Sequence, residues 1–86
     1  MAVYLISYDL LNKATFGEYE ELIAELERLG AKHILFSEWL LRSPNTAMQI
    51  TEHLRTFIHT YDRIMVIEVN LVNGAIANLM CKIDDI

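Results

Sequence analysis

The chain has one cysteine, one proline and three glycines in 86 residues, and its seven Lys and Arg are outnumbered by twelve Asp and Glu. Each shortage narrows the field. A lone thiol, Cys81, cannot close a disulfide within the chain, which fits a reducing cytosol, and it reads as a small buried apolar side chain. No apolar run approaches the roughly 18 to 20 residues that cross a bilayer, and the opening residues lack a basic stretch followed by a cleavage site. A cytoplasmic protein with no membrane partner is therefore expected. The net charge of −5 weighs against a surface dedicated to nucleic acid, because that grip comes mainly from Lys and Arg displacing counterions from phosphates. It does not forbid one, since a dimer can gather Lys13, Lys32, Arg42, Arg55 and Arg63 on one side. Repeats, linkers and low-complexity segments are absent as well.

What the chain does have is apolar residues. They make up 53% of it beside 22% charged residues, a balance that argues for a globular protein. A domain this small buries only about 60 to 65% of its unfolded surface, so one domain over residues 1–86 is expected, with part of its apolar excess in an interface.

The opening run Ala2-Val3-Tyr4-Leu5-Ile6-Ser7-Tyr8-Asp9 is apolar almost throughout and stops at a carboxylate. In period two, Tyr4, Ile6 and Tyr8 share one face and Val3, Leu5 and Ser7 the other. Both faces expect cover, as in a central strand. Asp9 then falls at the mouth of the first strand-to-helix connection, where open sheets tend to display functional groups.

Tyr19, Leu22, Ile23, Leu26 and Leu29 recur at helical spacing, so a helix is expected from Thr15 to Leu29. Thr15 with Glu18 matches a capping box, Gly30 is a natural stop, and Glu25 and Glu27 read as a solvated face. From Ala31 to Arg42 the period changes to two, which predicts two strands meeting near Ser37-Glu38 as a tight hairpin or a bent ribbon. Thr46 with Gln49 opens a second helix, expected to run to Tyr61 with Ile50, Leu54, Phe57, Ile58 and Tyr61 as its buried stripe. Arg63 to Val69 is a last strand, apolar on both faces, and Ile6 and Ile67 are expected to be buried whichever face they occupy. Residues 70–86 carry an Asn73-Gly74 turn signal and an apolar stretch, helical turn or fifth strand, expected to dock on a dimer partner.

The order strand, helix, strand, strand, helix, strand predicts an α+β, ferredoxin-like βαββαβ fold: a four-stranded antiparallel sheet with both helices on one face. The other face would then be apolar and bare, so homodimerisation through the sheet is expected.

The element order, the Ser7-Tyr8-Asp9 strand end and the Phe36-Ser37-Glu38-Trp39 stretch resemble the small CRISPR-associated adaptation subunit, over Val3 to Val69. The virulence-associated protein D family shares the fold and a similar aspartate. The resemblance implies a dimer that scaffolds an integrase subunit and, in some members, cleaves RNA or DNA with a divalent metal held between paired aspartates. Asp9 matches the metal-binding aspartate and Ser37 the hairpin serine; Tyr8, Lys13, Ser37 and Arg42 are candidate nucleic-acid contacts. The chain departs from the family pattern in carrying Leu10-Leu11-Asn12-Lys13 where basic residues commonly follow the aspartate.

The chemistry is consistent with one carboxylate per subunit. Mg²⁺ prefers oxygen ligands and keeps several waters, so two Asp9 side chains meeting across a twofold axis can hold it, and the ion can activate water for phosphodiester attack. An endonuclease is one expectation. A catalytically silent dimeric interaction or regulatory module is the other, in which Asp9 merely ends its strand as an Asx turn. Tyr8 reads either as a base-stacking platform or as core, and Trp39 as a partner anchor or hairpin packing. His33, His53 and His59 lack ligand spacing.

Overall fold

β1 (Ala2–Asp9) is the strand around which the sheet is assembled, because it is hydrogen-bonded along both edges. A computed structural model describes residues 1–11, 19–71, 74, 75 and 77. In chain order β1 is followed by α1 (Glu20–Arg28), β2 (Lys32–Leu35), β3 (Glu38–Ser43), α2 (Ala47–Leu54) and β4 (Arg63–Val69). The strands lie in the order β4-β1-β3-β2, and every neighbouring pair is antiparallel. β1 and β2 are thus parallel with β3 between them, and β3 and β4 parallel with β1 between them. These are the two interlocked split βαβ units of an α+β, ferredoxin-like fold.

The period-two reading of β1 holds. Tyr4, Ile6 and Tyr8 are buried with Trp39 and Leu41 of β3 against Leu22 and Leu26 of α1 and Ile50 and Leu54 of α2. Tyr4 keeps its polar tip satisfied by donating to the Asn45 carbonyl at 2.6 Å. No helix among the described residues is long and apolar enough to cross a membrane.

α1 starts at Glu20 with Tyr19 as its N-cap and no side-chain cap; Thr15 and Glu18, the expected capping box, lie outside the described residues. Its end follows expectation. Gly30 adopts φ +85, and the amides of Gly30 and Ala31 donate to the carbonyls of Glu27 and Leu26, both at 3.0 Å. That pair of bonds is a Schellman stop, and it needs a left-handed residue at Gly30.

The β2–β3 connection resolves as a tight hairpin turning at Phe36-Ser37, with an irregularity between His33 and Leu35. The His33 ring stacks on Trp39 at 4.2 Å. α2 opens with the anticipated capping box: the Thr46 hydroxyl accepts from the Gln49 amide at 3.1 Å, and the Gln49 side chain accepts from the Thr46 amide at 2.9 Å. It stops earlier than expected, giving way to a 3-10 turn at Arg55–Phe57. The Thr56 hydroxyl donates to the His53 carbonyl at 2.7 Å, taking an acceptor the next helical turn would use. Tyr61 is consequently exposed in the turn before β4 and is no part of the buried stripe.

Two more expectations are corrected. Ile67 is not buried like Ile6: it lies on the outer face of an edge strand and keeps 46% of its surface exposed. Glu25 is not solvated either. It sits on the flank of the α1 stripe, between Leu22 and Leu29, and is buried. Its carboxylate accepts from Arg28 Nε at 2.6 Å and Arg28 Nη2 at 2.5 Å, and from the His53 ring of α2. An ionised group there is tolerable only because its oxygens are fully served, and the arrangement clamps α1 to α2.

The Arg28 bonds, followed by that of His53, hold the Glu25 carboxyl down to about 2 from an ordinary 4.5. Because the folded value is the lower one, this contribution is fully present above about pH 4.5 and drains away as pH falls toward about 2. Thermal melts across that window are expected to show a steep acid-side loss of stability that Glu25→Gln flattens. Ile6→Ala is expected to cost about 3 kcal/mol in denaturant unfolding, whereas Ile67→Ala costs about 1 kcal/mol or less.

Candidate functional site

The end of the sheet where β1 stops is where the sequence placed its chemistry, and pairing decides what Asp9 meets there. In the β1–β4 register Asp9 stands opposite Arg63. Arg63 Nη1 donates to Asp9 Oδ2 at 3.0 Å, with both side chains more than half exposed. An exposed pair of this kind is worth at most about 1 kcal/mol, but it neutralises the carboxylate. A hollow of about 200 Å³ opens beside it, lined by Ser7, Tyr8, Asp9, Arg63, Ile64 and Met65.

One residue before Arg63, Asp62 performs the structural task that a strand-ending aspartate was expected to perform. Its Oδ1 accepts from the Leu11 amide at 2.8 Å, and its Oδ2 from the His59 amide at 2.8 Å. The Tyr19 hydroxyl donates to the same carboxylate at 2.9 Å from Oδ2. Asp62 therefore fastens the chain after β1, the N-terminus of α1 and the turn before β4 to one another. Burial works to raise its pKa, but the bonds from the Leu11 and His59 amides and from Tyr19 outweigh it and hold the carboxyl below the usual range.

Of the two readings of Tyr8, the structure shows the core one. Tyr8 is buried, its hydroxyl accepts from Trp39 Nε1 at 3.0 Å, and burial pushes its pKa up against the opposing effect of that bond. The same bond settles Trp39, whose ring is fully committed to the core beneath the hairpin. Ser37 lies next to Tyr8, and its carbonyl accepts from the Tyr8 amide at 3.1 Å. Tyr8, Asp9 and Ser37 are thus brought together. Arg42 is not: it faces Val3, six residues from Asp9 along β1, or about 20 Å at strand rise. Lys13 lies outside the described residues.

The donor set for a cation is thin in one chain. Among the described residues no three His, Cys, Asp or Glu side chains gather. Asp9 offers its oxygens beside a guanidinium, which repels Mg²⁺. A site built on it requires a second carboxylate from another copy and release of Arg63.

The sequence offers Arg63 only as one of five basic residues that a dimer could gather, and it does not single out Asp62. β1 has eight residues and β4 seven, so strand lengths alone do not set their register, and it is the sheet that puts residue 63 against residue 9. The Asp62 bonds have no signal in the sequence either, because their donors come from three separate segments. No protein-family model matches the chain, and no solved structure matches it with significance.

Unfolding measurements should separate the two aspartates. Asp62→Ala is expected to lower stability by about 2 kcal/mol, since it leaves two backbone amides and a phenol without their acceptor. Asp9→Ala is expected to change it by less than about 1 kcal/mol.

Proposed function

We propose that this protein is a homodimeric, non-catalytic interaction module of ferredoxin-like fold, working in the cytosol as a scaffold in the manner the CRISPR adaptation subunit suggests. The observation that carries the reading is the outer face of β1 and β4. Val3 and Leu5 are half-buried there, Met65 and Ile67 are each 46% exposed, and Val69 continues the row. Burying such a patch against a second copy removes apolar area from water at roughly 25 cal/mol per Å². The patch also suits a twofold contact. Asp9 and Arg63 at its end form a self-complementary pair, so each can exchange its own partner for that of the other copy without losing an ion pair. The engagement of Asp9 by Arg63 and the burial of Tyr8 are what favour binding over catalysis.

A second reading rests on one observation. The exposed oxygens of Asp9 border a hollow, and in a dimer that brings two copies of that hollow together the paired carboxylates could hold Mg²⁺ and cleave RNA or DNA, with Ser37 nearby. An integrase subunit is the partner that the scaffold reading points to.

Sedimentation at micromolar concentration is expected to give a dimer, and Ile67→Asp with Met65→Asp a folded monomer. A wild-type monomer would remove the proposal. Incubation with labelled RNA and DNA plus Mg²⁺ or Mn²⁺ is expected to leave both intact. Cleavage that Asp9→Asn abolishes would establish the second reading instead.

A further inference from the structure

β4 is an edge strand, and the ladder tells which of its backbone groups face outward. The Tyr8 amide donates to the Ser37 carbonyl at 3.1 Å, so the backbone groups of Tyr8, and with them those of Ile6 and Tyr4, point to β3. Direction alternates along a strand, so Val3, Leu5, Ser7 and Asp9 turn theirs to β4, where Val69, Ile67, Met65 and Arg63 answer them. Ile64, Val66 and Glu68 are left over. Their N–H and C=O groups point away from the sheet, and among the described residues nothing bonds to them. The strand is open as well, since no residue of β4 is buried, whereas β1, paired on both edges, buries Tyr4, Ile6 and Tyr8. A bare edge of this kind is a template for another strand.

Two unpaired charges lie beside that edge. Glu68 stands opposite Tyr4 and so shares the helix-side face of Ile64 and Val66, which pack against the core. It is exposed and has no counter-charge among the described residues. Arg55, where α2 ends, is exposed and likewise lacks an acidic partner there. Arg55 and Ile64 line one hollow of about 700 Å³ between the end of α2 and the start of β4. Glu52 lines it too, but three residues earlier on α2, about 4.5 Å further from that end. Asp62 and Arg63 in the same wall are already matched, the first by three donors and the second by Asp9. Within one chain Glu68 and Arg55 do not meet, because Glu68 is four residues, about 13 Å, along the strand from Ile64.

We propose that two copies of this chain join edge to edge, β4 against β4 and antiparallel, with the twofold axis at Val66, so that two four-stranded sheets become one. Val66 then stands opposite the partner's Val66 and Ile64 opposite the partner's Glu68, and the outward groups make about six N–H···O bonds. The partner's Glu68 enters the hollow beside Arg55, and the axis repeats that ion pair. On the outer face Met65 comes opposite the partner's Ile67, so two side chains that each keep 46% of their surface exposed gain an apolar neighbour. The faces fix the register. Only shifts of two residues keep like faces together; one of them sets Glu68 against Asp62, the other moves Glu68 away from Ile64 and Arg55, and both shorten the ladder. The contact rests on the homodimer reading above and states where the two copies meet.

Crosslinking in the full chain with Cys81→Ser tests the axis. Val66→Cys is expected to give a covalent dimer under mild oxidation, because directly opposed, hydrogen-bonded residues stand about 5.5 Å apart between Cα atoms, within disulfide reach. Leu5→Cys is expected to stay uncrosslinked, since its strand lies one further from the axis and the two copies of it are about 14 Å or more apart. In sedimentation, Arg55→Glu and Glu68→Arg are each expected to weaken the dimer about tenfold or more by setting like charges together, and the double variant to restore it to within about threefold. A dimer that Val66→Cys does not crosslink, one that Leu5→Cys does, or one that the double variant fails to restore overturns the edge contact and leaves the homodimer standing. A wild-type monomer removes both.

Discussion

The structure depends on β1 being bonded on both edges and apolar on both faces. A strand in that position cannot be left with one face in water, so the fold must supply two covers. The helices are the first, laid over Tyr4, Ile6 and Tyr8 and clamped together by the buried Glu25 carboxylate between Arg28 and His53. The second cover is graded: complete over Leu40, partial over Leu5 and open over Met65 and Ile67. The proposed dimer answers the demand that the open part of this face leaves.

The same strand also settles which polar groups remain available. Where it stops, two aspartates compete for the structural role. Asp62 takes it, because three donors from the chain after β1, the N-cap of α1 and the turn before β4 converge on it. Asp9 is released from that role and left at the surface with Arg63 as its counter-charge. Tyr8 and Trp39, the aromatic residues nearest to Asp9 in a functional reading, spend their polar atoms on each other inside the core. What remains at that end is an ion pair at the rim of an apolar strip.

Much of this was legible in the residues. Period-two alternation in β1, the Thr46–Gln49 box, the Gly30 stop and the order of elements led to the ferredoxin-like α+β arrangement because each is a local rule. The misreadings have a common cause as well. Glu25 looked solvated because charge dominates a helical-wheel reading, yet its position between Leu22 and Leu29 set it on the buried flank. Tyr61 looked buried because periodicity was carried past the point where the Thr56 hydroxyl takes the His53 carbonyl. Ile67 looked equivalent to Ile6 because hydropathy does not distinguish an edge strand from a central one.

By itself the sequence determined the local pattern: which segments are helix or strand, where two of them are capped or stopped, and that both faces of β1 are apolar. These follow from interactions between residues a few positions apart. Only the tertiary structure decided that Arg63 meets Asp9, that Asp62 gathers three segments, that His53 reaches Glu25 across the helices, and that Leu40 is sealed while Ile67 is not. Each of those depends on strand order and on segments far apart in the chain, and neither composition nor spacing carries that information.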